Sequence, residues 1–88
     1  MEVSYTPDAL KDRDFWKKSG NRSILKKITA LVEAIEDNPF EGIGKPEQLK
    51  HELSSYWSRR INKEHRIVYE VFEEENKILI LSLKGHYW

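Results

Sequence analysis

A base, an acid and a cation placed around a phosphodiester are enough to cut RNA, because the neighbouring 2′-hydroxyl is a built-in nucleophile. The chain offers candidates for each role. Glu47 is a carboxylate in a basic neighbourhood, between Lys45 and Lys50, and suits a proton acceptor. His51, His65 and His86 are the histidines available as acids or bases. His86 follows Gly85, which loosens the end of a strand, so its imidazole would stay accessible to protonate a leaving 5′-oxygen. Arg59, Arg60 and Arg66 stand on adjacent strands either side of a short turn, Asn62 to His65, where some of them can converge on one anion. Tyr87 and Trp88 supply ring faces on which bases can stack.

Each of these residues also has an ordinary explanation. Glu47 reads as a loop carboxylate, His51 and His65 as surface or turn residues, and the arginines as solvated or salt-bridged side chains. Tyr87 and Trp88 can simply pack the end of the last strand, and Trp16 and Trp57 are expected in the core. The histidines lack the close spacing of a zinc-binding helix and there is no cysteine, so no metal site is expected. Taken alone, the residues support a surface that can bind RNA and go no further.

The elements that must position these residues are legible from punctuation and periodicity. Glu2 to Tyr5 is expected as a short strand. Thr6-Pro7-Asp8 then starts a helix, with a capping hydroxyl, proline in the first helical position and an acid in the first turn. That helix should run to about Lys18 and stop at Gly20, with Asn21 capping the next one. Ile24, Leu25, Ile28, Leu31, Val32 and Ile35 form one apolar stripe on the second helix, which Asn38-Pro39-Phe40 ends. Glu41 to Pro46 is a glycine- and proline-punctuated loop free to carry function. Three strands follow as an antiparallel meander, Tyr56 to Ile61, Arg66 to Phe72 and Lys77 to Lys84. In the last, a strict two-residue period puts Leu79, Leu81 and Leu83 on one face and Ile78, Ile80, Ser82 and Lys84 on the other. The expected architecture is α+β: two helices on a small, mainly antiparallel sheet in the order β-α-α-β-β-β.

Composition bounds the function classes. With 88 residues the chain is expected as one domain, 1–88, whose active site must be an open groove rather than an enclosed chamber. It is 39% hydrophobic and 34% charged, which folds but leaves a highly charged exterior. The absence of cysteine excludes disulfides and thiolate catalysis. The apolar run Ile78 to Leu81 is far short of the ~20 residues that span a bilayer, so a cytoplasmic, membrane-free protein is expected. Lys plus Arg and Asp plus Glu balance at fifteen each, so only local charge can attract a polyanion. Lys45, Lys50, Arg59, Arg60, Lys63 and Arg66 supply such a face, although a solvated mixed surface accounts for them equally well.

One stretch narrows the choice. Pro39-Phe40-Glu41-Gly42-Ile43-Gly44-Lys45-Pro46-Glu47-Gln48-Leu49-Lys50-His51-Glu52-Leu53, then Tyr56-Trp57-Ser58-Arg59-Arg60-Ile61 and Glu64-His65-Arg66-Ile67-Val68-Tyr69, closely resembles the YoeB/Txe toxins of the RelE superfamily. The upstream helix pair and His86-Tyr87 fit as well, so the resemblance covers nearly the whole chain. It departs at Lys84-Gly85 and at Trp88, which follows the tyrosine where the family commonly ends. The resemblance implies a microbial ribonuclease-like α+β fold and metal-independent, cofactor-free cleavage of messenger RNA in the ribosomal A site. It places the general base at Glu47, the phosphate-stabilising cation at Arg66, the general acid at His86 and a substrate-orienting group at Tyr87. Lys45, Lys50, His51, Arg59 and Arg60 would hold ribosomal or messenger phosphates. The implied partners are the ribosome, the messenger and an acidic, partly disordered antitoxin of the YefM/Axe kind, whose complex with the toxin would bind operator DNA; a homodimer is a further option. The alternative is a non-catalytic RNA- or ribosome-binding module with the same basic face.

Overall fold

The computed structural model describes residues 1–49 and 55–85. Strand β1 (Glu2–Tyr5) leads directly into helix α1 (Pro7–Ser19). Thr6 makes that corner: its Oγ1 accepts from the Ala9 N–H at 3.1 Å and donates to the Leu81 carbonyl at 3.1 Å, so the helix cap is also tied to the sheet. Gly20 ends α1 in the left-handed conformation at φ 70°, and the Asn21 side chain caps α2 (Arg22–Asp37) by accepting from the Ile24 N–H. Both boundaries fall where proline, glycine and asparagine put them.

The two helices bury unequal faces. Only Ala9 and Trp16 of α1 are buried, whereas α2 buries Ile24, Ile28, Leu31 and Ile35 at helical spacing, with Leu25 and Val32 packed beside them. This stripe meets Ile67, Tyr69, Val71, Ile78 and Ile80 from the sheet. No helix among the described residues is long and apolar enough to cross a membrane.

The sheet has five strands in the order β1-β5-β4-β3-β2. The meander β3 (Tyr56–Arg60), β4 (Arg66–Phe72) and β5 (Lys77–Ser82) is antiparallel, and β1 adds to β5 in parallel. The fifth strand, β2 (Glu47–Gln48), is only two residues long and pairs antiparallel with β3. It was not expected, because two polar residues carry no apolar alternation.

Strand β5 departs from its expected facing. Tyr69 pairs with Ile80 but Val68 pairs with Ser82, which leaves Leu81 as an extra residue. This bulge reverses the parity, so Leu83 joins Ile78 and Ile80 in the core, all three fully buried. The ladder also stops earlier than Lys84. Beyond Ser82 the backbone of Leu83 is held from α1: its N–H donates to Asp12 Oδ2 at 2.9 Å, and its carbonyl accepts from Trp16 Nε1 at 2.9 Å.

Gly44 shows how tightly the loop before β2 packs. A methyl group there would lie 2.6 Å from Leu31 Cδ2 and 3.2 Å from the Arg60 carbonyl oxygen, at a φ of 85°. At Gly20, by contrast, a methyl group meets nothing within 4 Å. Gly20→Ala should therefore cost only its left-handed strain, about 1 kcal/mol, and Gly44→Ala that strain plus overpacking, about 2–4 kcal/mol in total. Urea unfolding midpoints check the order; equal costs would show that the loop is not packed on α2.

Candidate active site

Register decides which side chains share a face. Glu47 lies opposite Ser58, Ser58 opposite Val68, and Arg60 opposite Arg66. Paired residues and residues two apart point the same way, so Glu47, Ser58, Arg60 and Arg66 share the sheet surface that faces away from the helices. Arg66 Nη1 donates to Ser58 Oγ at 3.2 Å and lies 3.9 Å from Glu47 Oε2. The arginine side chain is 25% exposed and the glutamate 65%.

This arrangement suits a phosphodiester. Ser58, itself buried, steadies one edge of the guanidinium and leaves its other N–H groups for phosphate oxygens. At 3.9 Å and with this exposure the Glu47–Arg66 attraction is weak and screened, so neither group is locked to the other. A carboxylate able to accept a proton and a cation able to bind a phosphate thus stand 3.9 Å apart on one face.

Arg59 overturns an expectation. Sequence placed it on the phosphate-binding face, but it is fully buried. Consecutive strand residues point to opposite faces, so Arg59 and Arg60 cannot converge on one anion, and Arg59 takes the helix side. There its guanidinium donates to the carbonyls of Asn38 (2.5 Å), Glu41 (3.1 Å) and Ile43 (3.2 Å), and its Nε to Tyr69 Oη at 3.1 Å. The Tyr69 hydroxyl in turn donates to the Pro39 carbonyl at 2.7 Å. Arg59 thereby closes residues 38–46 into a fixed loop and delivers Glu47 to the sheet edge.

The other expected residues divide. Arg60 is exposed on the Arg66 face. Lys45 is exposed on the loop, at a φ of 53°. His65, just before β4, is half-buried with its ring against Trp16 rather than free in a turn. Trp16 is core, as expected; Trp57 packs on the core and also against Phe40. Lys50, His51, His86 and Tyr87 lie outside the described residues. Ser58 was missed because a serine between a tryptophan and an arginine carries no signal until the register is known. A separate groove of about 590 Å³ opens around Phe40, Trp57 and Val71 on the helix side, but Glu73, Glu74 and Glu75 line it and would repel a phosphate. Among the described residues no group of acidic residues and histidines is placed to hold a metal ion.

Two outcomes follow for Arg59 and its partner. Arg59→Met leaves three carbonyls and a phenol without their donor, and should lower stability by about 3 kcal/mol or more, a Tm loss of roughly 12–24 °C; Arg60→Met should stay within about 0.5 kcal/mol. Calorimetry distinguishes them, and equal losses would refute the division between the two arginines. Burial pushes the Tyr69 phenol above its usual value of 10.0, against the hydrogen bond and charge of Arg59, which pull it down. A raised folded-state value means that the contribution is complete below about pH 10 and is lost as pH climbs through the folded value. Stability should accordingly fall above about pH 10, and less steeply in Tyr69→Phe, as measured by denaturation at stepped alkaline pH.

Comparison with known proteins identifies the family of the fold. Residues 5–87 match the family described as YoeB-like toxin of bacterial type II toxin-antitoxin system. Toxin YoeB of Synechocystis sp. is 45% identical over 87 residues, 99% of this chain and 98% of that protein. A YoeB/ParE toxin from Agrobacterium tumefaciens superimposes with a TM-score of 0.91 at 36% identity, covering 99% of this chain and all of that one. YoeB of Staphylococcus aureus has been solved as a dimer, at 43% identity and a TM-score of 0.86, and in complex with YefM, at 44% and 0.82. Both structures cover 99% of this chain and 98% of the other. The family match over residues 5–87 and the full-length likeness to these toxins place the chain in the family of YoeB-like toxins of bacterial type II toxin-antitoxin systems.

Proposed function

We propose that the chain is a messenger endoribonuclease that acts on the ribosome and so inhibits translation. The observation that carries this reading is the pairing of an exposed carboxylate with a serine-steadied arginine at 3.9 Å on the outer face of the sheet. Glu47 takes the proton of the 2′-hydroxyl, whose oxygen attacks the adjacent phosphorus. Arg66 stabilises the charge that builds on the phosphate oxygens. His86 gives a proton to the departing 5′-oxygen, Tyr87 orients the substrate, and the products are a 2′,3′-cyclic phosphate and a free 5′-hydroxyl. Lys45, Arg60, Lys50 and His51 hold messenger or ribosomal phosphates, contacts that position without reading sequence.

The partners follow from the relatives. The YefM complex of the Staphylococcus aureus toxin supports a YefM-like antitoxin for this chain; an acidic, partly disordered partner would complement the basic surface. The toxin–antitoxin complex would bind operator DNA. The dimer of the same relative supports a homodimer of the free toxin.

The test is messenger cleavage on programmed ribosomes by the intact protein, Glu47→Gln and His86→Gln, with the cut mapped by primer extension and the cyclic phosphate assayed. Cleavage in the A site, depressed about a hundredfold or more by each substitution, is the expected result. Tight ribosome binding with no cut would make the chain a non-catalytic binding module instead.

A further inference from the structure

Residue 85 is gripped from both sides by two consecutive residues. Its N–H donates to His65 Nδ1 at 3.0 Å, and its carbonyl accepts from the Arg66 N–H at 2.6 Å. Neither bond belongs to the β4–β5 ladder, which ends at the pairing of Val68 with Ser82. Gly85 sits at a φ of 89°, a conformation that glycine enters freely but that nothing in its own backbone enforces. What sets the chain here is the pair of bonds, and the next residue in sequence is His86.

The imidazole that makes the first bond is itself held. The backbone N–H groups of Ile61 and Asn62 both donate to the His65 carbonyl, and Asn62 Oδ1 accepts from the Glu64 and His65 N–H groups at 2.8 Å. The ring stands edge-to-face on Trp16, with centroids 4.8 Å apart and an interplanar angle of 75°. Trp16 is buried and anchored in turn by its Nε1 bond to the Leu83 carbonyl. Because a backbone amide can only donate, Nδ1 is the acceptor of this bond.

We infer that His65 is a positioning residue: its Nδ1, braced on Trp16, holds the Gly85 amide beside Arg66 and so fixes the backbone from which His86 follows in sequence. This rests on the reading that His86 acts in cleavage. In this arrangement His65 Nδ1 is taken up by the amide and is not available to substrate. Its effect is to hold Gly85, the residue before His86 in sequence, beside Arg66, and if that hold positions the acid, misplacement by about 1 Å would cost up to about a hundredfold in rate.

Two substitutions separate the acceptor from the ring. His65→Phe keeps the ring on Trp16 and has no acceptor; His65→Asn loses the ring but presents Oδ1 near the place of Nδ1. Hydrogen exchange of the Gly85 amide, followed by NMR on the free protein, should quicken about tenfold in His65→Phe and stay near wild type in His65→Asn. Single-turnover cleavage at saturating ribosomes should fall roughly ten- to a hundredfold in His65→Phe, with ribosome affinity unchanged, and recover in His65→Asn. Unaltered Gly85 exchange in His65→Phe overturns the clasp. Unaltered cleavage in that variant, or no recovery in His65→Asn, overturns the positioning role. A wild-type protein that never cuts sinks the nuclease reading and the positioning role with it, while Gly85 exchange, measured without ribosomes, still decides the clasp.

Discussion

The fold depends on a guanidinium buried without a counterion among the described residues. Placing a charged group in the interior is costly unless its donors are satisfied. Arg59 meets that condition with three carbonyls and a phenol, all uncharged oxygens. The carbonyls come from residues 38–43, which a loop would otherwise leave to water, so desolvation of the arginine and closure of the loop are one event. Gly42 and Gly44 are there because the loop must pass close to this core: a methyl group at Gly42 would lie 3.0 Å from Arg59 Nη1. The Arg60 N–H then bonds the Gly44 carbonyl at 2.7 Å, and the next residues along are those of β2. The cradle thus leads the chain to the sheet edge, where Glu47 pairs opposite Ser58.

Two adjacent arginines therefore do opposite things. Strand parity sends Arg59 toward the helices to bind its own chain and Arg60 outward beside Arg66. The separation also protects the site electrostatically. A third guanidinium on the outer face would crowd Arg66 and compete for Glu47, whereas a buried one satisfied by carbonyls is removed from that face altogether.

How much of this was legible in the sequence depended on whether the cause was local. The start of α1, the glycine stop, the asparagine cap and the apolar stripe of α2 are each written in a few neighbouring residues, and the structure has them all. Strand β2 and the bulge at Leu81 are not local: the first exists only because β3 offers an edge, and the second because Asp12 and Trp16 hold Leu83 from another element. The error over Arg59 was avoidable in principle. Trp57 was expected in the core, and a residue two positions away on the same strand must share its face, yet an arginine so rarely sits inside that charge overruled parity. Of the candidate site, residue type makes Glu47 and Arg66 candidates and only the family resemblance assigns them roles, while Ser58 and the bracing of His65 need the register to become visible.

The looseness of the Glu47–Arg66 contact is itself informative. A bidentate pair at close range would be strong and geometrically defined, and a phosphate would have to displace it before binding. At 3.9 Å, with a glutamate two-thirds exposed, the attraction between the two charges is screened by solvent and little would be given up on binding an anion. Arg66 keeps its orientation anyway, because Ser58 and the backbone bond to Gly85 hold it from the protein side. Neutral hydrogen bonds fix the guanidinium and leave its charge unspent, which is the condition under which a cation in the proposed nuclease would do more for a transition state than for the ground state.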